Sequence, residues 1–126
     1  MNDAGNNSAQ GGVAESGVSH WWGQRLTAIL LVLLVLWFTA SFVTLSGAGL
    51  TLVRQWIASP MTSLFLAIFM ASLFRHIQLG LEVVVDDYVH IRTRNRAAMA
   101  SIRASCILCT VVAWLSILVI YLEGRG

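Results

Sequence analysis

The stretch Met61-TSLFLAIFMASLFRHIQLGLEVVVDD-Tyr88 decides the fold. From Met61 to about Val85 it is apolar and long enough to cross a hydrocarbon core of about 30 Å, which takes roughly 20 helical residues. Pro60 precedes it and suits the first turn of a helix, where the N–H that proline lacks would have no intrahelical partner. Unlike an inert anchor, the segment carries Arg75, His76 and Glu82. Ionisable groups inside a membrane cost roughly 2.5–3.5 kcal/mol each on insertion scales, so they tend to mark sites or pathways.

On either side lie two further apolar runs, Leu26–Leu45 and Ala104–Leu122, with no charged side chain in either. A chain of 126 residues that is 57% hydrophobic and 11% charged is too apolar for an ordinary soluble domain and too short for more than one compact unit. The predicted fold is therefore an all-α membrane protein. Its three transmembrane helices cover about residues 24–46, 60–88 and 100–123, within one anchor domain over residues 20–126. Residues 1–19, rich in Gly, Asn, Ser and Ala, have the composition of a disordered tail. The first apolar run lacks a small-x-small cleavage site in register and reads as a retained span, not a secretory signal.

His20-Trp21-Trp22-Gly23-Gln24-Arg25 stands directly before the first run, where tryptophans settle at the headgroup level and fix the depth of a helix. The connection from about Ser46 to Pro60 holds Gly47, Gly49, Arg54 and Trp56 and reads as a loop. All eight basic residues are arginine, against six acids. The modest excess, with no basic tract, argues against a nucleic-acid partner. Arg92, Arg94, Arg96 and Arg103 crowd the connection between the second and third segments, and Arg25 precedes the first. By the positive-inside rule this predicts a cytoplasmic N-terminus and second loop, with the C-terminus outside. Cys106 and Cys109 fall on neighbouring faces of the third segment, as a metal or redox pair or as small thiols that pack well in an apolar helix.

At 100° per residue, His76, Gly80, Val83 and Asp87 lie within about 40° of one another, while Arg75, Gln78 and Glu82 form a stripe on the largely opposite side. Three short spans cannot cover two polar faces alone, which implies a partner membrane chain. Imidazole ligates haem iron, and a glycine one turn away lets a flat group approach the backbone; the alternative is a histidine bonded to another helix. Tyr88, about 18 Å along the axis from His76, can donate a hydrogen bond to a quinone carbonyl at the membrane edge, with Asp87 fixing the phenol or supplying a proton. An interfacial tyrosine beside helix-end acids is the other reading.

The run His76-x3-Gly80-x6-Asp87-Tyr88, continuing as Val89-His90, resembles the signature of the hydrophobic membrane-anchor subunits of succinate dehydrogenase, respiratory complex II. Arg25-Leu26-Thr27-Ala28-Ile29 after a His-Trp-Trp cluster is similar to the start of bacterial members, above all alphaproteobacterial ones. The resemblance covers nearly the whole chain after the tail. It implies that His76 is an axial ligand of a b-type haem whose second ligand comes from the other small membrane chain of the complex, and that Tyr88 and Asp87 line the ubiquinone site. It further implies that Arg25 lies near the haem propionates or the quinone, with either Ser19 or His20 at the family's propionate-side histidine position. Gly80 would be the haem-facing glycine.

In such a complex a flavoprotein holds FAD and oxidises succinate, and an iron–sulfur protein passes the electrons to ubiquinone. This chain has neither a dinucleotide glycine motif nor the cysteine sets that clusters need. The resemblance places it in a bacterial inner membrane. Arg75 and Glu82 stand outside the signature and read as structural partners of the other membrane chain or of each other through Gln78. Two alternatives are a fumarate reductase anchor that uses menaquinone, and a non-redox transporter or assembly subunit in which Arg75, His76 and Glu82 relay protons or join helices.

Overall fold

A computed structural model describes the backbone of residues 4–126 and the side chains of residues 18, 19 and 21–126. Four helices follow one another: α1 (Ala4–Thr44), α2 (Leu50–Ala58), α3 (Pro60–Tyr88) and α4 (Arg92–Glu123). Three are long and apolar enough to cross a membrane, over Trp21–Thr44, Pro60–Tyr88 and Arg92–Glu123.

α3 has the limits the sequence predicts. Ser59, with ψ 133°, is extended, as the residue before a proline must be, and it separates α2 from α3 while Pro60 takes the first helical position. The Ser63 hydroxyl donates back to the Ile57 carbonyl across this break. The other limits differ from expectation. α4 begins at Arg92 and not near 100, because Arg-Thr-Arg-Asn-Arg-Ala-Ala-Met-Ala is rich in good helix formers even though it is too polar for a span. α1 runs back to Ala4, where composition alone suggests a tail.

The connection expected to be a loop contains α2, a nine-residue helix. Gly47, at φ +86°, makes the left-handed turn that lets the chain leave α1. Val53, Trp56 and Ile57 of α2 then face the other helices at helical spacing, over a cleft shared with Phe38 and Leu66.

α3 is the central helix: it touches α1, α2 and α4, whereas among the described residues α1 and α4 do not meet. Burial follows that layout, with Thr62, Leu66, Phe69, Ser72, Gln78 and Leu79 buried on α3, against Leu34 on α1 and Cys106 on α4. On the α1 side Phe38 stacks on Phe69 at 5.3 Å, and Trp37 meets Phe65 edge-on at 5.3 Å and Trp56 at 5.8 Å. On the α4 side Trp114 Nε1 donates to the Ala67 carbonyl at 3.0 Å. The remaining apolar surface is largely outward, as it is for helices solvated by lipid or by a second membrane chain.

The antiparallel course brings the start of the α1 span and the α3–α4 turn to one end of the bundle, with Arg25, Arg92, Arg94 and Arg96. Arg54 and Glu123 form an ion pair at 3.7 Å at the other end.

Candidate functional site

The two polar stripes of α3 meet different surroundings. Glu82 turns toward α4, where its Oε1 accepts from Arg103 Nε at 2.8 Å and from Gln78 Nε2 at 2.9 Å. The sequence suggests that Glu82 pairs with the other membrane chain or with Arg75 through Gln78; Gln78 does bind Glu82, but the cation paired with it is Arg103. Helix geometry explains the match. Trp114 opposite Ala67 sets Arg103 about level with Gln78, and side chains lean toward the N-terminus of their own helix. Arg103 therefore reaches toward the turn and Glu82 away from it, and they meet. Nothing in the local spacing of either helix announces the pair; it needs the register across the turn. Arg75 lines the same α3–α4 cleft.

His76 faces the other way, into a cleft of about 300 Å³ walled by Ala28, Leu31, Val32, Val35 and Leu36 of α1. Its Nδ1 is buried and has no hydrogen-bond partner among the described residues. A neutral imidazole has one donor and one acceptor nitrogen, and leaving either buried and unpaired costs about 1–3 kcal/mol. The site is thus incomplete in this chain alone. One turn further on, a Cβ built at Gly80 would meet nothing within 4 Å, so the surface beside His76 is open to a bulky group. Among the described residues no three His, Cys, Asp or Glu side chains converge on one point.

Extending the Phe38–Phe69 register in antiparallel fashion sets Leu31 opposite His76, in agreement with the cleft, and Arg25 level with Glu82, about 9 Å nearer the turn. The Arg25 guanidinium lies over the Trp21 ring at 4.6 Å. Tyr88 is the last residue of α3 and is 82% exposed, with exposed Asp87 beside it. The anchored acid is the neighbouring Asp86, whose Oδ1 accepts from Asn95 Nδ2 at 3.1 Å, while the same amide donates to the Val89 carbonyl at 3.2 Å. Asn95 escapes a reading of the sequence by residue chemistry; its signal is an amide in the first turn after a short connection.

His76 and Gly80 thus share one open face, and Tyr88 and Asp87 share the end of the helix, while Arg25 lies between these two levels on α1. The His20 side chain lies outside the described residues. Cys106 is buried and Cys109, three residues on, is exposed.

The model of the succinate dehydrogenase/fumarate reductase transmembrane subunits matches residues 4–118. The chain belongs to that family. It is similar to the succinate dehydrogenase hydrophobic membrane anchor subunit of Rickettsia bellii (strain RML369-C), 30% identical over 104 residues that make up 82% of each chain. The protein of the same name from Rickettsia conorii (strain ATCC VR-613 / Malish 7) is 29% identical over 104 residues, again 82% of each chain. The succinate dehydrogenase membrane anchor subunit of Reclinomonas americana is 32% identical over 79 residues, 60% of this chain and 66% of that one. No solved structure matches the chain. Membership in the succinate dehydrogenase/fumarate reductase transmembrane family accounts for a three-span architecture whose outward surface is apolar.

Proposed function

We propose that this chain is the membrane-anchor subunit of a succinate:ubiquinone oxidoreductase. In this role it holds the flavoprotein and the iron–sulfur protein at the membrane, supplies one axial ligand of a b-type haem, and forms part of the ubiquinone-reduction site. The observation that carries the reading is the buried, unpartnered Nδ1 of His76, facing an apolar cleft beside an open glycine. Iron bound through one ring nitrogen leaves the other in need of a hydrogen-bond acceptor, so a partner chain completes the site in either arrangement. A second ligand for the haem iron would come from the other small membrane chain of the complex. The haem supplies one-electron storage in the middle of the membrane when bound.

The remaining work falls to residues of this chain. Arg25, about 9 Å toward the turn from His76, is placed to hold a propionate carboxylate with its guanidinium fork, and His20, near the same end, offers a second contact. Tyr88 donates its phenolic hydrogen to a ubiquinone carbonyl, which fixes the ring at the membrane edge and polarises the carbonyl that must accept electrons. Asp87 orients that phenol or hands on a proton drawn from water at the surface. The arginines at the turn end support a cytoplasmic N-terminus and a periplasmic C-terminus in a bacterial inner membrane, with the soluble proteins of the complex docked at that end.

The family embraces both succinate dehydrogenases and fumarate reductases, but the relatives described above are named as succinate dehydrogenase subunits, which supports the first direction. A proton relay through Arg75, His76 and Glu82 gains no support, because Glu82 is engaged with Gln78 and Arg103 toward α4 while His76 opens toward α1. The experiment is purification of the complex through this chain. Co-purification of a flavoprotein, an iron–sulfur protein and a second small membrane chain, with succinate-reducible flavin and ubiquinone reduction, is the result expected. Isolation of the chain with none of these would overturn the proposal.

A further inference from the structure

The α3–α4 cleft, on the side of α3 away from His76, encloses about 750 Å³ and belongs to no part of the site described above. Glu82 and Arg103 stand at its turn end and Arg75 about 10 Å deeper, so its lining carries two guanidinium groups against one carboxylate. The ion pair engages Arg103 only through Nε, at 2.8 Å, and the Arg103 side chain is still 60% exposed. Its two terminal amino groups, with four N–H donors, have no partner among the described residues. Arg92 and Arg96 continue the line of Arg103 along α4, within about 40° of it.

Depth defines what this rim can meet. α3 has 29 residues, about 43 Å of helix, which exceeds a hydrocarbon core of about 30 Å. Centring the excess puts Glu82 just inside the boundary at the turn end, within an arginine's reach of the lipid phosphates. Below Glu82 and Arg103 the walls are mainly apolar, formed by Phe74, Ile107, Val111 and Trp114, with Arg75 beside Phe74. A cationic mouth at headgroup level above an apolar slot complements one kind of molecule.

We propose that the α3–α4 cleft binds an anionic phospholipid. Its phosphate is held by the free fork of Arg103 with Arg96 next along α4 toward the turn, and one acyl chain lies along Ile107 and Val111. A phosphate gains charge-assisted, two-pronged hydrogen bonds from such a fork, whereas the quaternary ammonium of a zwitterionic lipid meets the like charge of the rim. The site does not depend on the haem reading.

The test uses the intact complex, stripped of lipid in detergent and exposed to mixed micelles of phosphatidylglycerol or phosphatidylcholine with the same acyl chains. Retained lipid is counted by native mass spectrometry. About tenfold stronger retention of phosphatidylglycerol is expected, as for one charge-assisted bond, with loss of that preference in Arg103→Gln. Val111→Trp fills the slot without touching the charges and should displace the lipid as well, so it decides the matter if Arg103→Gln does not assemble. Soluble glycerophosphate at the same concentration should not compete. Equal retention of the two lipids, full competition by glycerophosphate, or protection of an Ile107→Cys variant from a lipid-soluble maleimide in the lipid-stripped complex, which would mean that protein covers the cleft, would each overturn the proposal.

Discussion

Glu82 and His76 stand six residues apart on α3 and are turned to opposite neighbours: Glu82 is bound at 2.8 Å by Arg103 of α4, and His76 opens toward α1. The first contact fixes the rotation of the central helix about its axis. The second is the consequence, since a helix pinned to α4 through Glu82 must present the His76 face to the other side.

Removing the Glu82 carboxylate should therefore destabilise the α3–α4 pair. A hydrogen bond to a charged group contributes about 1.5–3 kcal/mol, and Arg103 is partly exposed, so a loss near the lower figure is expected for Glu82→Ala. Thermal denaturation of the complex checks it. The double variant with Arg103→Ala should cost less than the sum of the single ones, and strict additivity would mean that the two residues are not coupled.

Gly80→Leu separates helix stability from site chemistry. Leucine is the better helix former by about 0.8–1 kcal/mol, and nothing within this chain blocks its Cβ. The chain should insert and fold at least as well as before, yet haem content per complex should fall because the open surface beside His76 is taken. Unchanged haem content would remove Gly80 from the site.

Tyr88→Phe should leave succinate oxidation by an artificial acceptor intact and lower kcat/KM for ubiquinone by about tenfold, the worth of one hydrogen bond. Since Tyr88 is 82% exposed in this chain, the melting temperature should not move. Unaltered quinone kinetics would exclude the phenol from the site.

Asn95→Ala tests the turn beneath that tyrosine. It deletes the bonds to Asp86 and Val89 and frees the end of α3, for a loss of about 1–2 kcal/mol. Affinity for ubiquinone should weaken with little change in the haem spectrum; a shift confined to the haem would contradict the division between the turn and the mid-span histidine.

Much of this was legible in single residues and their spacing. Pro60 and the Asp-Asp-Tyr end bracket α3, and the offset from His76 to Gly80 gives the open face without any knowledge of α1. Other features depend on what lies across the chain. The Glu82–Arg103 pair follows from the register between α3 and α4, which the position of Trp114 against Ala67 fixes and which no local pattern carries. α2 is short and hidden between two glycines and a proline, although Val53, Trp56 and Ile57 hold the spacing that would have revealed it. The start of α4 at Arg92 is missed by hydropathy, because polarity ends a span and does not end a helix.

The central claim is that His76 is the chain's haem ligand, and the reduced-minus-oxidised visible spectrum of the purified complex tests it most directly. The wild-type complex should show a b-type haem. In His76→Ala that signal should be lost or shifted, while His90→Ala, altered in the exposed α3–α4 turn, should keep it. A His76→Ala complex that assembles with its partners and keeps the wild-type spectrum would contradict the account.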